Sequence, residues 1–298
     1  MSRRHLLMLL ALSAIWGSSF MFIKVGVEEL EPSTLVAGRL VLAALTLVVI
    51  VAARMPLQTA VTQIRASFRP FLFVALVNSV VPFWLLAWGE TKIDSGLAAL
   101  LQASAPLFTA LLAVFFVRAE RVSGDRLLGV LVGFGGVALL VGAVPSGSVL
   151  GALAVVAAGF CYAASSLAGG RYLGDVPAVT IAFGTSAIAA VISLPFGLAQ
   201  LPSTVPSWKV IGSVVFLGVV GLGIAYVLYF ALITGAGASR AILVTYLVPP
   251  MALFYGATIL DESLSLIDLA GLGLILAGVS LGTGVVQSRR RRPVEASA

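Results

Sequence analysis

Four polar residues in this chain stand four positions before a proline inside an apolar run. Asn78 precedes Pro82, Gln102 precedes Pro106, and Thr245 and Tyr246 precede Pro249 and Pro250. A proline within a helix has no N–H to donate, so the carbonyl four residues earlier loses its partner. Each carbonyl freed in this way belongs to a residue whose side chain is also polar. In an apolar setting such acceptors persist only where protein or water satisfies them. The coincidence points to a shared polar cavity; kinks repaired by neighbouring helices are the alternative. Phe83, Trp84, Tyr226 and Tyr229 are candidates for its walls, although Trp84 and Trp88 also suit an interfacial aromatic belt.

A second pattern lies in "AIWGSSF", residues 14–20. At 100° per residue, Trp16, Ser19, Phe20 and Ile23 share one helix face, while Ser13 and Gly17 form a separate small-residue stripe. "GFCYAASSL" (159–167) repeats the arrangement: Tyr162, Ser165, Ser166 and Gly169 share a face, and Gly159 with Ala163 makes the stripe. The stripes read as close helix contacts. The aromatic and hydroxyl faces read either as cavity lining or as plain helix contact.

The elements that must position these residues follow from composition. Of 298 residues 60% are hydrophobic and 10% charged, and the mean hydropathy is +1.12. A soluble domain carries about 25% charged residues. Ten apolar runs of about 20 residues, each long enough to span a bilayer, occupy roughly 6–25, 34–53, 70–88, 94–117, 126–143, 149–168, 178–199, 209–230, 239–260 and 266–286. The first run continues through Trp16, which argues against a cleaved signal peptide. Cys161 is the sole cysteine and His5 the sole histidine. No disulfide, metal site or cofactor is expected.

Charge gives an orientation. With the N-terminus inside, fourteen of the eighteen Lys and Arg residues fall at inner ends, leaving Lys24, Arg39, Lys92 and Lys209 at outer ends. Retained loops keep their cations, so both termini are expected in the cytoplasm. The basic tail "RRRR" fits topology anchoring or membrane lipid rather than nucleic acid. Residues 120–142 also lie over 262–284 at a constant shift, pairing Glu120 with Glu262, Gly129 with Gly271 and Gly136 with Gly278. Five spans per half is odd, so the halves, 1–145 and 146–298, are expected in opposite orientations. The expected fold is an all-α integral membrane protein with ten transmembrane helices in two inverted five-helix repeats around a central cavity.

No Asp or Glu stands near the middle of a run, and Glu90 and Asp94 fall at an outer end. A proton relay normally needs a buried carboxylate or histidine, so built-in proton coupling is not expected. Arg39 is the one charge clearly within a run; snorkelling, or an ion pair with the outer acidic loop, is its expected role. A neutral, aromatic-walled cavity with hydroxyl and amide groups suits zwitterions or uncharged metabolites.

"WGSSFMFIKVG" (16–26), "PSTLVAGRLVLAAL" (32–45), "GLAALLQASAPLFTALLAVFFVRAERVS" (96–123) and "VPPMALFYGATILDESLSLIDLAGLGLILAGV" (248–279) are similar to EamA-type members of the drug/metabolite transporter superfamily. The resemblance covers essentially the whole chain. It implies a cavity lined by the first, third, fourth, sixth, eighth and ninth spans, and export of metabolites such as amino acids. The family's first-span Trp-Gly pair falls on Trp16 and Gly17, its proline positions on Pro106 and Pro249, and its hinge glutamates on Glu120 and Glu262. Tyr162 and Ala163 depart from it, standing where a strict repeat has Trp and Gly.

The expected function is alternating-access transport in the cell inner membrane, exporting amino acids or similar small solutes, by a monomer or homodimer. The alternatives are efflux of drugs or lipophilic cations, and a membrane-embedded enzyme or lipid scramblase. The first would want a membrane-facing acidic site, the second a paired-carboxylate or His/Ser constellation.

Overall fold

The computed structural model describes residues 2–116 and 124–282. Glu120, Arg118, Arg121 and Arg289 to Arg292 lie outside the described residues. Among the described residues every regular element is helical: α1 (Arg3–Gly26), α2 (Pro32–Ala52), α3 (Leu57–Ala66), α4 (Phe68–Ala75), α5 (Val81–Glu90), α6 (Ser95–Gln102), α7 (Ala105–Phe116) and α8 (Gly124–Ala143) come first. There follow α9 (Val149–Tyr172), α10 (Ala178–Ala199), α11 (Trp208–Val215), α12 (Ala225–Ala236), α13 (Ala238–Ala241), α14 (Leu243–Ile259) and α15 (Leu266–Gly282). Two wide turns of π-helix, Leu76–Val80 and Phe216–Ile224, join α4 to α5 and α11 to α12.

Seven helical stretches are long and apolar enough to cross a membrane: Arg3–Gly26, Pro32–Ala52, Phe68–Glu90, Ser95–Ala113, Ser146–Tyr172, Ala178–Ala199 and Trp208–Ala236. Three shorter apolar helices, Leu127–Ala143, Leu243–Ile259 and Leu266–Gly282, coincide with the remaining sequence runs. Seventeen helical residues rise about 25 Å, somewhat less than a ~30 Å hydrocarbon core.

The prolines act in three different ways. Pro82 enters α5 straight after the first π turn, where the backbone has already widened. Pro106 does not kink a helix: the chain breaks at Ala103 and Ser104, and Pro106 occupies the first turn of α7, where no N–H is needed. The Ser104 hydroxyl donates to the Leu101 carbonyl at 2.6 Å across that break. Pro249 and Pro250, by contrast, lie inside the continuous α14.

Small residues decide which helices meet. Gly17 faces α14 so closely that a Cβ there would sit 2.6 Å from the Met251 Cβ. Its counterpart Gly159 faces the break before α7, with the Ser104 Oγ 3.1 Å from a Cβ position. The two look-alike segments of the sequence pack on each other as α8 and α15, running antiparallel. Gly129 meets Gly278 and Gly282 at one end of this seam, and Gly136 meets Gly271 towards the other. At Gly278, a methyl would fall 2.5 Å from the Gly133 Cα and 2.6 Å from the Gly129 carbonyl oxygen.

One end of the bundle is tied by polar contacts. Lys24 Nζ donates to the carbonyls of Glu90 (2.8 Å) and Ile93 (2.7 Å). Glu262 accepts from the backbone N–H of Ser95 (2.7 Å) and Gly96 (2.9 Å), capping α6 from a distant part of the chain. The Ser207 amide donates to Glu29 at 2.7 Å. At the opposite end α1 meets the end of α12, where the His5 ring abuts Gly235.

Candidate functional site

Helices from both sequence halves enclose a cavity of about 840 Å³, within the range of small-molecule sites. From α1 it receives Trp16, Ser19, Phe20 and Ile23, the four residues of one helix face. Asn78 enters from the first π turn and Phe83 from α5. Gln102 and Pro106 flank the α6–α7 break, with Thr109 one turn further on. The second half supplies Tyr162 and Ser166 from α9, Tyr226 and Tyr229 from α12, and Thr245 and Pro249 from α14. The lining then runs along Leu111, Ala113, Leu127 and Val130 to Gly282, towards the end away from the Lys24 and Glu262 contacts.

Two aromatic anchors shape the wall. The Trp16 indole donates through Nε1 to the Gly221 carbonyl at 3.1 Å, and its ring meets Tyr229 at 5.4 Å in a tilted pair. Gly221 lies within the second π turn, where the backbone ladder departs from the α register. Ser19 spends its hydroxyl on the Ile15 carbonyl of its own helix at 3.0 Å. Ser165, behind the wall, donates to Asn78 Oδ1 at 3.1 Å and so orients an amide that lines the cavity, as does its own neighbour Ser166. Gln102 Oε1 is buried without a hydrogen-bond partner.

Several candidates lie elsewhere. Trp84 is exposed and stacks on Trp88 at 6.0 Å, on the outer surface of the bundle. Tyr246 packs into an apolar cluster with Leu101 and Leu107 among its members. Pro82 and Pro250 shape their helices from positions off the lining. Of the four residues with freed carbonyls, Asn78, Gln102 and Thr245 line the cavity and Tyr246 does not.

Arg39 overturns its sequence expectation. It does not snorkel to the outer end or pair with the acidic loop. It is 4% exposed and lines the cavity, with its guanidinium carbon 4.0 Å from the Phe83 ring centroid. Its Nε is buried without a partner. The second span thus joins those the resemblance assigns to the cavity. Glu90 is also deeper than its sequence position shows: it is fully buried, and neither carboxylate oxygen has a hydrogen-bond partner. It is not among the lining residues.

Outside the spans, charge responds to the tied end. Ser207, through its side chain and backbone amide, holds the Glu29 carboxylate below its ordinary range. Burial and the nearby negative charge of Glu262 push Asp94 above its own.

Apolar helices of membrane-crossing length, folded around an aromatic-walled cavity, define a membrane transport protein as a class. Two segments, 3–142 and 149–283, match the EamA-like transporter family, and the chain belongs to it. Among its relatives is an uncharacterized transporter of Archaeoglobus fulgidus, 27% identical over 89% of this chain and 93% of that one. The uncharacterized inner membrane transporter YedA of Escherichia coli is 28% identical, covering 92% of this chain and 89% of its own length. A protein of Streptantibioticus cattleyicolor named "Probable terminal-alkyne amino-acid exporter" is 30% identical, over 93% of this chain and 92% of its own. A solved crystal structure aligns over 98% of this chain and 100% of its own, with a TM-score of 0.64 and 18% identity; it speaks for the fold alone.

Proposed function

We propose that this chain exports amino acids or similar small, neutral or zwitterionic metabolites across the inner membrane by alternating access. The observation that carries the reading is the cavity itself, built by both halves and walled by Trp16, Phe83, Tyr162, Tyr226 and Tyr229. The name of the Streptantibioticus relative supports an amino-acid cargo. In this reading the three short apolar helices also span, giving ten, and residues 1–145 and 146–298 are inverted repeats with both termini cytoplasmic. The antiparallel seam of α8 on α15 and the paired family matches support that arrangement. The tied end is then the outer one, and this conformation opens inward. The protein is a transporter rather than an enzyme, working as a monomer or homodimer, and solute moves down its own gradient, in keeping with a cavity whose described lining carries no carboxylate.

The test is flux from proteoliposomes loaded with a panel of neutral amino acids. Protein-dependent efflux of at least one is expected, together with impaired efflux by correctly folded Gln102→Leu. Silence across the panel would overturn the reading.

A further inference from the structure

The geometry points to Arg39 as an oxyanion subsite, at which the cavity reads a single carboxylate on the transported solute. This inference rests on the transport reading above and narrows it to a substrate class.

Arg39 is the only charged side chain among the described residues that line the cavity. No described residue gives it an ion pair or a hydrogen bond, and its Nε is enclosed without a partner. A guanidinium withdrawn from water and left unpaired is expensive. The Phe83 ring beneath it offsets only part of that cost. That contact uses none of the guanidinium's N–H donors in a hydrogen bond to a described acceptor. Those donors match a carboxylate two at a time. Tyr162, Tyr226 and Glu90 are its electrostatic neighbours, yet none of them makes an ion pair or a hydrogen bond with it. The opposite charge that the site is built for therefore arrives from the cavity.

One fixed positive charge balances one negative charge, which fits a carboxylate better than a phosphate dianion. A lipophilic cation would meet repulsion there. Gln102 supplies the other half of the recognition. Its Oε1 is a buried acceptor with no partner, suited to an N–H group on the same solute. A free acceptor and a free guanidinium on one aromatic-walled cavity describe a zwitterion such as an apolar α-amino acid.

The experiment compares protein-dependent counterflow of L-leucine and L-phenylalanine with that of their carboxamides, corrected against protein-free liposomes. The amides keep size and side chain but lack the carboxylate. Wild-type protein is expected to favour the acids by roughly 30-fold or more, the scale of losing one partner of a buried charge pair. Arg39→Gln should slow the acids to a similar extent, while Arg39→Lys, which keeps the charge but not the fork, retains part of the flux. The amide comparison needs no variant, so it decides even if Arg39→Gln does not fold. Equal flux of acids and amides through the wild type would overturn the subsite and leave transport standing. So would undiminished acid flux through folded Arg39→Gln. Flux of neither series would remove the transport reading, and the subsite with it.

Discussion

Trp16 shows how much work one side chain does in this wall. Its ring packs on Tyr229, and its N–H donates to the Gly221 carbonyl within the second π turn. Trp16→Phe keeps most of the ring and removes the donor, leaving the Gly221 carbonyl to find water in the cavity. A loss of about 1 kcal/mol is expected, seen as a lower melting temperature of the detergent-solubilised protein; an unchanged melting temperature would show the bond to be idle. The face that Trp16 shares with Ser19, Phe20 and Ile23 was legible from helical periodicity alone, because α1 is regular. Arg39 was not. Sequence gives its depth in α2, but which way a long flexible side chain turns depends on Phe83, some forty positions away. The cost of a charge inside a span was the signal that could have placed it. Trp84 turns the other way for a simpler reason: one residue, about 100° of helix, separates it from the cavity-lining Phe83, and a tryptophan suits lipid or cavity alike.

At the scale of elements, prolines and glycines are visible in the sequence, yet what they do depends on the local backbone. The same residue opens a new helix at Pro106 and sits within an unbroken one at Pro249. The π turn at Phe216–Ile224 has no proline and no sequence signature, so the acceptor at Gly221 could not be anticipated. The glycine seam of α8 and α15 was visible as matched spacing, whereas its antiparallel contact needed the fold. Gly278→Leu should drive a side chain into the Gly133 backbone, costing at least about 3 kcal/mol. Gly135, on the same helix as Gly133, has open space around it. Gly135→Ala should be neutral or stabilising by up to about 1 kcal/mol, as helix propensity dictates. Thermal unfolding of the two variants in one detergent separates seam from open face, and equal effects would contradict the packing described.

At the scale of the molecule, the proposed transport cycle couples the cavity to the tied end. Glu262 caps α6 from across the chain, and Lys24 pins the turn just before it. In alternating access these contacts must break for the cavity to open at their end. Ser95 lies buried under that cap. In a Cys161→Ala background, a Ser95→Cys thiol should therefore label slowly. Adding Glu262→Gln, which removes the charge from two charge-assisted bonds, should speed labelling by about 10-fold, the equivalent of 1.4 kcal/mol. No acceleration would mean that the cap does not hold this end shut. The seam between α8 and α15 carries a different consequence, one of timing. A ribosome delivers α8 long before α15, so in the ten-helix reading proposed above the glycine face of α8 first meets lipid rather than its partner. Until α15 is inserted, that face is a bare dimerisation surface, and a chain truncated before Leu266 would keep it permanently. In that reading the seam closes only once α15 is inserted, and a copy truncated before it is expected to self-associate through its unmated glycine ridge.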